Sequence, residues 1–163
     1  NDDANYLRVY KITTASGAVT ATEDHRAGPG GVHGVIIPEA AAAPSIVLAI
    51  ACSDETTALT TGTGKAKFIN PYPSAFTVTG VVASLSTAQA SGSIFTVDIN
   101  EASSSILSTA LTIDNTETNS STAATPAVIS DASIAAYAEI RIDIDQVGDG
   151  TAKGLKVYLI GHL

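Results

Sequence analysis

The run Glu139-Ile-Arg-Ile-Asp-Ile-Asp-Gln-Val-Gly148 decides the fold class of this chain. Ile140, Ile142 and Ile144 alternate strictly with Glu139, Arg141, Asp143 and Asp145. A strand points successive side chains to opposite faces, so one face is pure isoleucine and the other pure charge. That pattern predicts an antiparallel sheet with one side on a core and the other in water.

Outward from this strand, segments of the same kind recur from Ser45 to the C-terminus. Strands are expected near 46–52, 64–70, 75–85, 93–100, 105–113, 125–130, 138–146 and 154–161. Breakers separate them: Thr61-Gly-Thr-Gly64, Asn70-Pro-Tyr-Pro73, Ser91-Gly92 and Gly148-Asp-Gly150. Short strands with regular turns predict an all-β fold, an antiparallel β-sandwich of jelly-roll-like kind, over 45–163. One short helix is expected around Ser130-Asp-Ala-Ser-Ile-Ala-Ala-Tyr137, which has a Ser/Asp start and an apolar follow-through.

Two strands depart from a clean in/out pattern. In Leu155-Lys-Val-Tyr-Leu-Ile-Gly-His-Leu163, Leu155, Val157 and Leu159 share one face. The opposite face, Lys156, Tyr158, Ile160 and His162, is half apolar, as in a central strand or one packed on a neighbouring subunit. In Phe76–Leu85, strict alternation places Phe76, Val78 and Val82 on one face and Val81 and Leu85 on the other.

Residues 1–44 differ in character. Tyr6-Leu-Arg-Val-Tyr-Lys-Ile12 alternates briefly, and a polar stretch and the cluster Gly28-Pro-Gly-Gly31 follow. Gly and Pro punctuate rather than build, so this segment reads as an extended N-terminal arm with one or two isolated strands, suited to attachment or assembly.

The chain carries 16 acidic and 8 basic residues, a formal charge of −8, with no Lys or Arg between Phe68 and Ile140. Such a surface repels phosphate backbones, which argues against nucleic-acid binding. No apolar stretch reaches the roughly 18 residues of a membrane-crossing helix, so no membrane partner is expected. The single Cys52 excludes an internal disulfide and reads as a small buried apolar residue.

Catalysis by a nucleophile needs a base and a group that orients it. His25 and His33 lie in the arm and His162 is penultimate, so no triad assembles and no catalytic residue is expected. One Cys and three dispersed His give no zinc spacing. The best oxygen set for a cation is Asp143, Asp145 and Asp149, but Arg141 shares the strand face and a surface ion-pair cluster is the simpler account. Asp98, followed by Glu101, reads as a solvated strand end. No metal and no cofactor are assigned.

From Ala49 to the C-terminus the sequence resembles a β-rich module of structural proteins in tailed bacteriophages. The matching residues are Ala51–Gly62, Phe95–Glu101, Ser105–Ser108, Leu111–Asp114, Ala127–Asp131, Glu139–Gly148 and Gly154–Val157. The resemblance implies a non-enzymatic virion protein, typically a homotrimer, either a head-surface decoration or head fibre or a tail-fibre tip. The lack of a shaft repeat before the module favours the head. The implied partners are two further copies of the chain and a major capsid or fibre-base protein. The implied place is the virion surface, after assembly in the host cytoplasm. Arg141, Tyr158, Ile160 and His162 are the expected trimer-interface residues, with Arg141 pairing across subunits to an Asp. The alternative is a carbohydrate-binding module for host surface glycans, with Tyr72 and Tyr137 as stacking candidates.

Overall fold

Thr, Val and Ile favour the pleated surface of a sheet, and the chain forms strands at nearly every place where they alternate. The computed structural model describes residues 10–15, 18–24 and 43–163. Two compact units emerge, Asn1–Ala42 and Ala43–Leu163, close to the boundary expected at residue 44. In the first, β1 (Tyr10–Ala15) and β2 (Ala18–Asp24) pair antiparallel, with a register shift between Thr13 and Thr14. The arm was expected to hold isolated strands; these two pair with each other, and the second falls in the stretch read as merely polar. Residues 6–9, His25 and His33 lie outside the described residues.

The second unit holds β3 (Ile46–Ala51), β4 (Gly62–Ile69), β5 (Phe76–Ser84), β6 (Phe95–Glu101), β7 (Ser104–Ser105) and β8 (Leu107–Thr109). It continues with β9 (Leu111–Ile113), β10 (Val128–Ile129), β11 (Ser133–Ile134), β12 (Glu139–Gln146) and β13 (Lys156–His162). One sheet has the order β11-β5-β13-β3; the other runs β4-β12-β6-β7, with β9 also pairing β6. All pairings are antiparallel. β3, β4, β5 and β6 alternate between the sheets, after which β12 inserts between β4 and β6 and β13 between β3 and β5. This is the strand order of a jelly roll, two Greek keys folded over each other.

The isoleucine face forms the middle of the core. Ile140, Ile142 and Ile144 are fully buried together with Phe95, Val97 and Ile99 of the neighbouring strand. Phe76, Val78, Val157 and Leu159 of the other sheet belong to the same cluster. Each such side chain contributes about 1.5–3 kcal/mol relative to exposure.

Three expectations fail for identifiable reasons. The helix over 130–137 does not form; among the described residues the only helical turn is a 3-10 turn at Ser120–Thr122. Asp131 accepts from the Ser133 N–H at 3.1 Å, and β11 then pairs with Thr77 and Phe76, burying Ile134 completely. Core burial outweighs a weak local helix preference. The strand expected over 105–113 breaks into β7, β8 and β9. The Ser105 hydroxyl takes the Leu107 N–H at 3.0 Å and withdraws it from any ladder. The alternation in Phe76–Leu85 also reverses midway. Val78 pairs with Gly161 and Gly80 with Ile160, leaving Thr79 as an extra residue. That bulge flips the parity, so Ala83 and Leu85 join Phe76 and Val78 inside, and Val82 turns outward.

Buried amides fasten the loops at both ends. Asn70 Nδ2 donates to the carbonyls of Ser74 and Ala135, and its Oδ1 accepts from the Tyr72 N–H. Gln89 Nε2 donates to Ser93 O and Asn115 Oδ1, while its Oε1 accepts from Gly148 N–H at 2.8 Å. Gly148 cannot be larger: a Cβ there would lie 2.3 Å from the Ser91 carbonyl oxygen. Among the described residues no helix is long and apolar enough to cross a membrane.

Candidate functional site

Of the residues singled out in the sequence, Arg141 and Asp143 lie on one outer face of the sandwich and Tyr158, Ile160 and His162 on the other. On the β4-β12-β6 sheet, Arg141 and Asp143 occupy one face of β12, two residues apart. Arg141 Nε donates to Asp143 Oδ1 and Nη2 to Oδ2, each at 3.0 Å. Asp143 Oδ1 also accepts from the Gly64 N–H at 2.6 Å, and Oδ2 from Asn100 Nδ2 at 3.2 Å. Asp143 stands directly opposite Asp98, whose Oδ1 accepts from the Ile99 N–H and the Ser105 hydroxyl. A polar lattice thus crosses β4, β12, β6 and β7. Asp143 and Asn100 are buried within it although they lie on the face expected to be solvated.

Within the chain the Arg141 fork is closed on Asp143 of its own strand. The three carboxylates weighed as an oxygen set for a cation are not convergent. Asp143 has both oxygens occupied by donors. Asp149 sits in the β12–β13 loop, where Oδ2 accepts from the N–H groups of Ala90 and Ser91 and Oδ1 from the Thr151 hydroxyl and N–H. Those bonds, the Thr151 hydroxyl foremost, hold its carboxyl down at about 2. Asp145 is exposed, and its carboxyl is pushed up by partial desolvation first and then by the charges of Asp98 and Asp143. Among the described residues no group of three His, Cys, Asp or Glu is placed to hold a metal.

The outer face of the other sheet is of a different kind. β13 is central, between β5 and β3. Ile160 stands between Val47 and Gly80, and Tyr158 between Ala49 and Val82. A Cβ on Gly80 would meet only Ile160 atoms, at 3.8 Å, so Ile160 leans over an open glycine. Val47 is 54% exposed, Ala49 is exposed, and Tyr158, Ile160 and Val82 are half-buried. His162 closes the row opposite Thr77. These side chains form a contiguous apolar strip facing outward, bounded by Lys156, which is paired with Glu55.

Beside β5 lies an open groove of about 460 Å³, lined among others by Thr79, Val81, Thr112, Ser120 and Val128, with no ionisable side chain in its wall. Of the two tyrosines considered for sugar stacking, Tyr72 lies nearly parallel to Phe76 at 6.5 Å between ring centroids. Tyr137 is 59% exposed on a left-handed backbone, φ 58°. Cys52 is buried, and desolvation pushes its thiol up to about 12, leaving it an inert core residue.

Asn100 and Gly64 are the partners that reading the sequence missed. Both are visible only through register, which brings Asn100 opposite Arg141 and leaves β4 irregular opposite Asp143. The chain matches no family model, no curated protein and no solved structure.

Proposed function

We propose that this chain is a non-enzymatic structural protein of a tailed-bacteriophage particle, a homotrimeric capsid decoration or head-fibre protein. In this reading residues 1–44 attach it to a capsid or fibre-base protein and the jelly roll is displayed at the virion surface. The observation that carries the proposal is the apolar outer strip of Val47, Ala49, Tyr158 and Ile160 on a chain of net charge −8. A contiguous apolar patch on an otherwise acidic surface suits burial against another copy. The fold is compatible, since jelly rolls serve in viral capsids, but they serve in lectins too, so fold alone assigns no role. The sequence resemblance supplies the choice of particle.

Sedimentation tests the trimer. The purified chain is expected to run at a mass that is a multiple of three chains. Ile160→Glu should reduce that mass threefold while the circular dichroism spectrum is unchanged. A wild-type protein that stays strictly monomeric at high concentration defeats the reading.

The second reading, a tail-fibre tip or carbohydrate-binding module for host glycans, is favoured by one observation, the exposed ring of Tyr137 on a strained loop backbone. A glycan array without binding removes it.

A further inference from the structure

The two edge strands next to the β3–β4 connection are treated differently by the sequence. Cys52 donates its N–H to Leu155 O at 2.8 Å, and β3 pairs only with β13. Backbone groups alternate in direction along an antiparallel strand, so Ile46, Leu48 and Ile50 bond to β13. The N–H and C=O groups of Val47, Ala49 and Ala51 point out of the sheet edge, and among the described residues nothing bonds to them. On β4, Asn70 donates its N–H to Ala138 O, so by the same alternation Lys65 and Lys67 carry the outward groups. Their side chains are exposed. Lysines on an edge strand block the approach of a further strand. β3, Ile46-Val-Leu-Ala-Ile-Ala51, has no charge, no proline and no glycine in it.

We infer that the β3 edge pairs with the β3 edge of a second copy, antiparallel about Ala49, joining two four-stranded sheets into one. The occupant is argued from reciprocity and charge. A strand presenting N–H and C=O at Val47, Ala49 and Ala51 is complementary to itself when reversed: Ala49 meets Ala49, and Val47 meets Ala51 of the other copy. The outward side chains at these positions, Val, Ala and Ala, are small enough for close approach. No like charges are opposed along the contact line, although the chain carries a net charge of −8. In this register the partly buried Ile46 and Leu48 on the inner side would lie opposite Cys52 and Ile50 of the second copy. The pairing goes beyond the proposed trimer: it extends the sheet in its own plane and leaves the outer face of β13 open.

The test uses the full chain with Ala49→Pro and, separately, Ala51→Pro, each of which removes one outward N–H and adds no charge to the outer face of β13. Each is expected to halve the sedimenting mass, whereas Ile160→Glu divides it by three, so pairing and trimer can fail separately. Amide hydrogen exchange supplies the second readout. The amides of Val47, Ala49 and Ala51 should become protected as concentration rises, and by at least tenfold in rate between dilute and concentrated samples. Unchanged mass in both variants overturns the inference. Protection that is identical at all concentrations also overturns it, because the edge is then covered from within its own chain.

Discussion

The two outer faces of the sandwich handle the same problem in opposite ways. On the β12 side, polar groups stand on the sheet and are tied to one another: Arg141, Asp143, Asn100, Asp98 and Ser105 form a continuous hydrogen-bonded chain. On the β13 side, Tyr158, Ile160, Val82 and Val47 leave apolar surface uncovered. A satisfied polar lattice holds its own monomer together and has few groups left to offer a partner. An uncovered apolar strip does little for the monomer and gains free energy only when something lies on it. The difference separates residues that hold the monomer together from those that the proposed assembly would use, and each set can be tested by substitution.

Asp143→Ala should have the largest effect on monomer stability. It removes the acceptor for Arg141, Gly64 and Asn100 at once and leaves the Arg141 side chain, only 22% exposed, without its partner. Breaking a buried pair from one side costs about 3 kcal/mol or more, which for a domain of this size lowers Tm by on the order of 10 °C. Thermal unfolding followed by circular dichroism measures it. A loss below about 1 kcal/mol would mean that the lattice is ordinary surface.

Ile160→Glu sharpens the comparison from the other side. Half-buried and leaning over Gly80, Ile160 contributes little to the isolated chain, and its replacement should change monomer stability by only about 0.5–1 kcal/mol. Denaturant unfolding at concentrations low enough to dissociate any assembly isolates that term. A loss comparable to that of Asp143→Ala would place Ile160 in the core rather than on an assembly face.

The isoleucine face was legible in the sequence because burial depends on strand parity alone, which Ile140, Ile142 and Ile144 state without ambiguity. The positions of the long strands β3, β4, β5, β6, β12 and β13 were legible for the same reason, with Gly and Pro between them. Parity fails where a bulge inserts a residue, as at Thr79, and local pattern cannot foresee it because the bulge belongs to the pairing with β13. The charged face misled for a related reason. Glu139, Arg141, Asp143 and Asp145 alternate identically, yet Asp143 is buried and Asp145 exposed. Asn100 and the Gly64 N–H, which close over Asp143, come from strands brought there by register. The false helix at 130–137 was a contest between a few tenths of local propensity and the burial of Ile134, and burial won.

Asp145 allows the finest test of the polar face. Its carboxyl is pushed above the ordinary range by partial desolvation and by the charges of Asp98 and Asp143, so the folded state holds its proton more tightly than the unfolded chain. The sign follows from linkage: the ionised group opposes folding above its folded pKa, and the opposition fades as pH falls and the carboxyl is protonated in both states. Asp145→Asn should therefore stabilise the protein near pH 7, by about 0.2–0.5 kcal/mol because the site is exposed and screened. The gain should shrink towards zero by about pH 3, below the ordinary aspartate value. Added salt should reduce it as well, since the repulsion from Asp98 and Asp143 crosses solvent. Denaturant titrations of both proteins at the two pH values and two salt concentrations measure the difference. A variant less stable at pH 7 would mean that Asp145 is an attractive member of the Arg141 lattice rather than its unpaired acidic end.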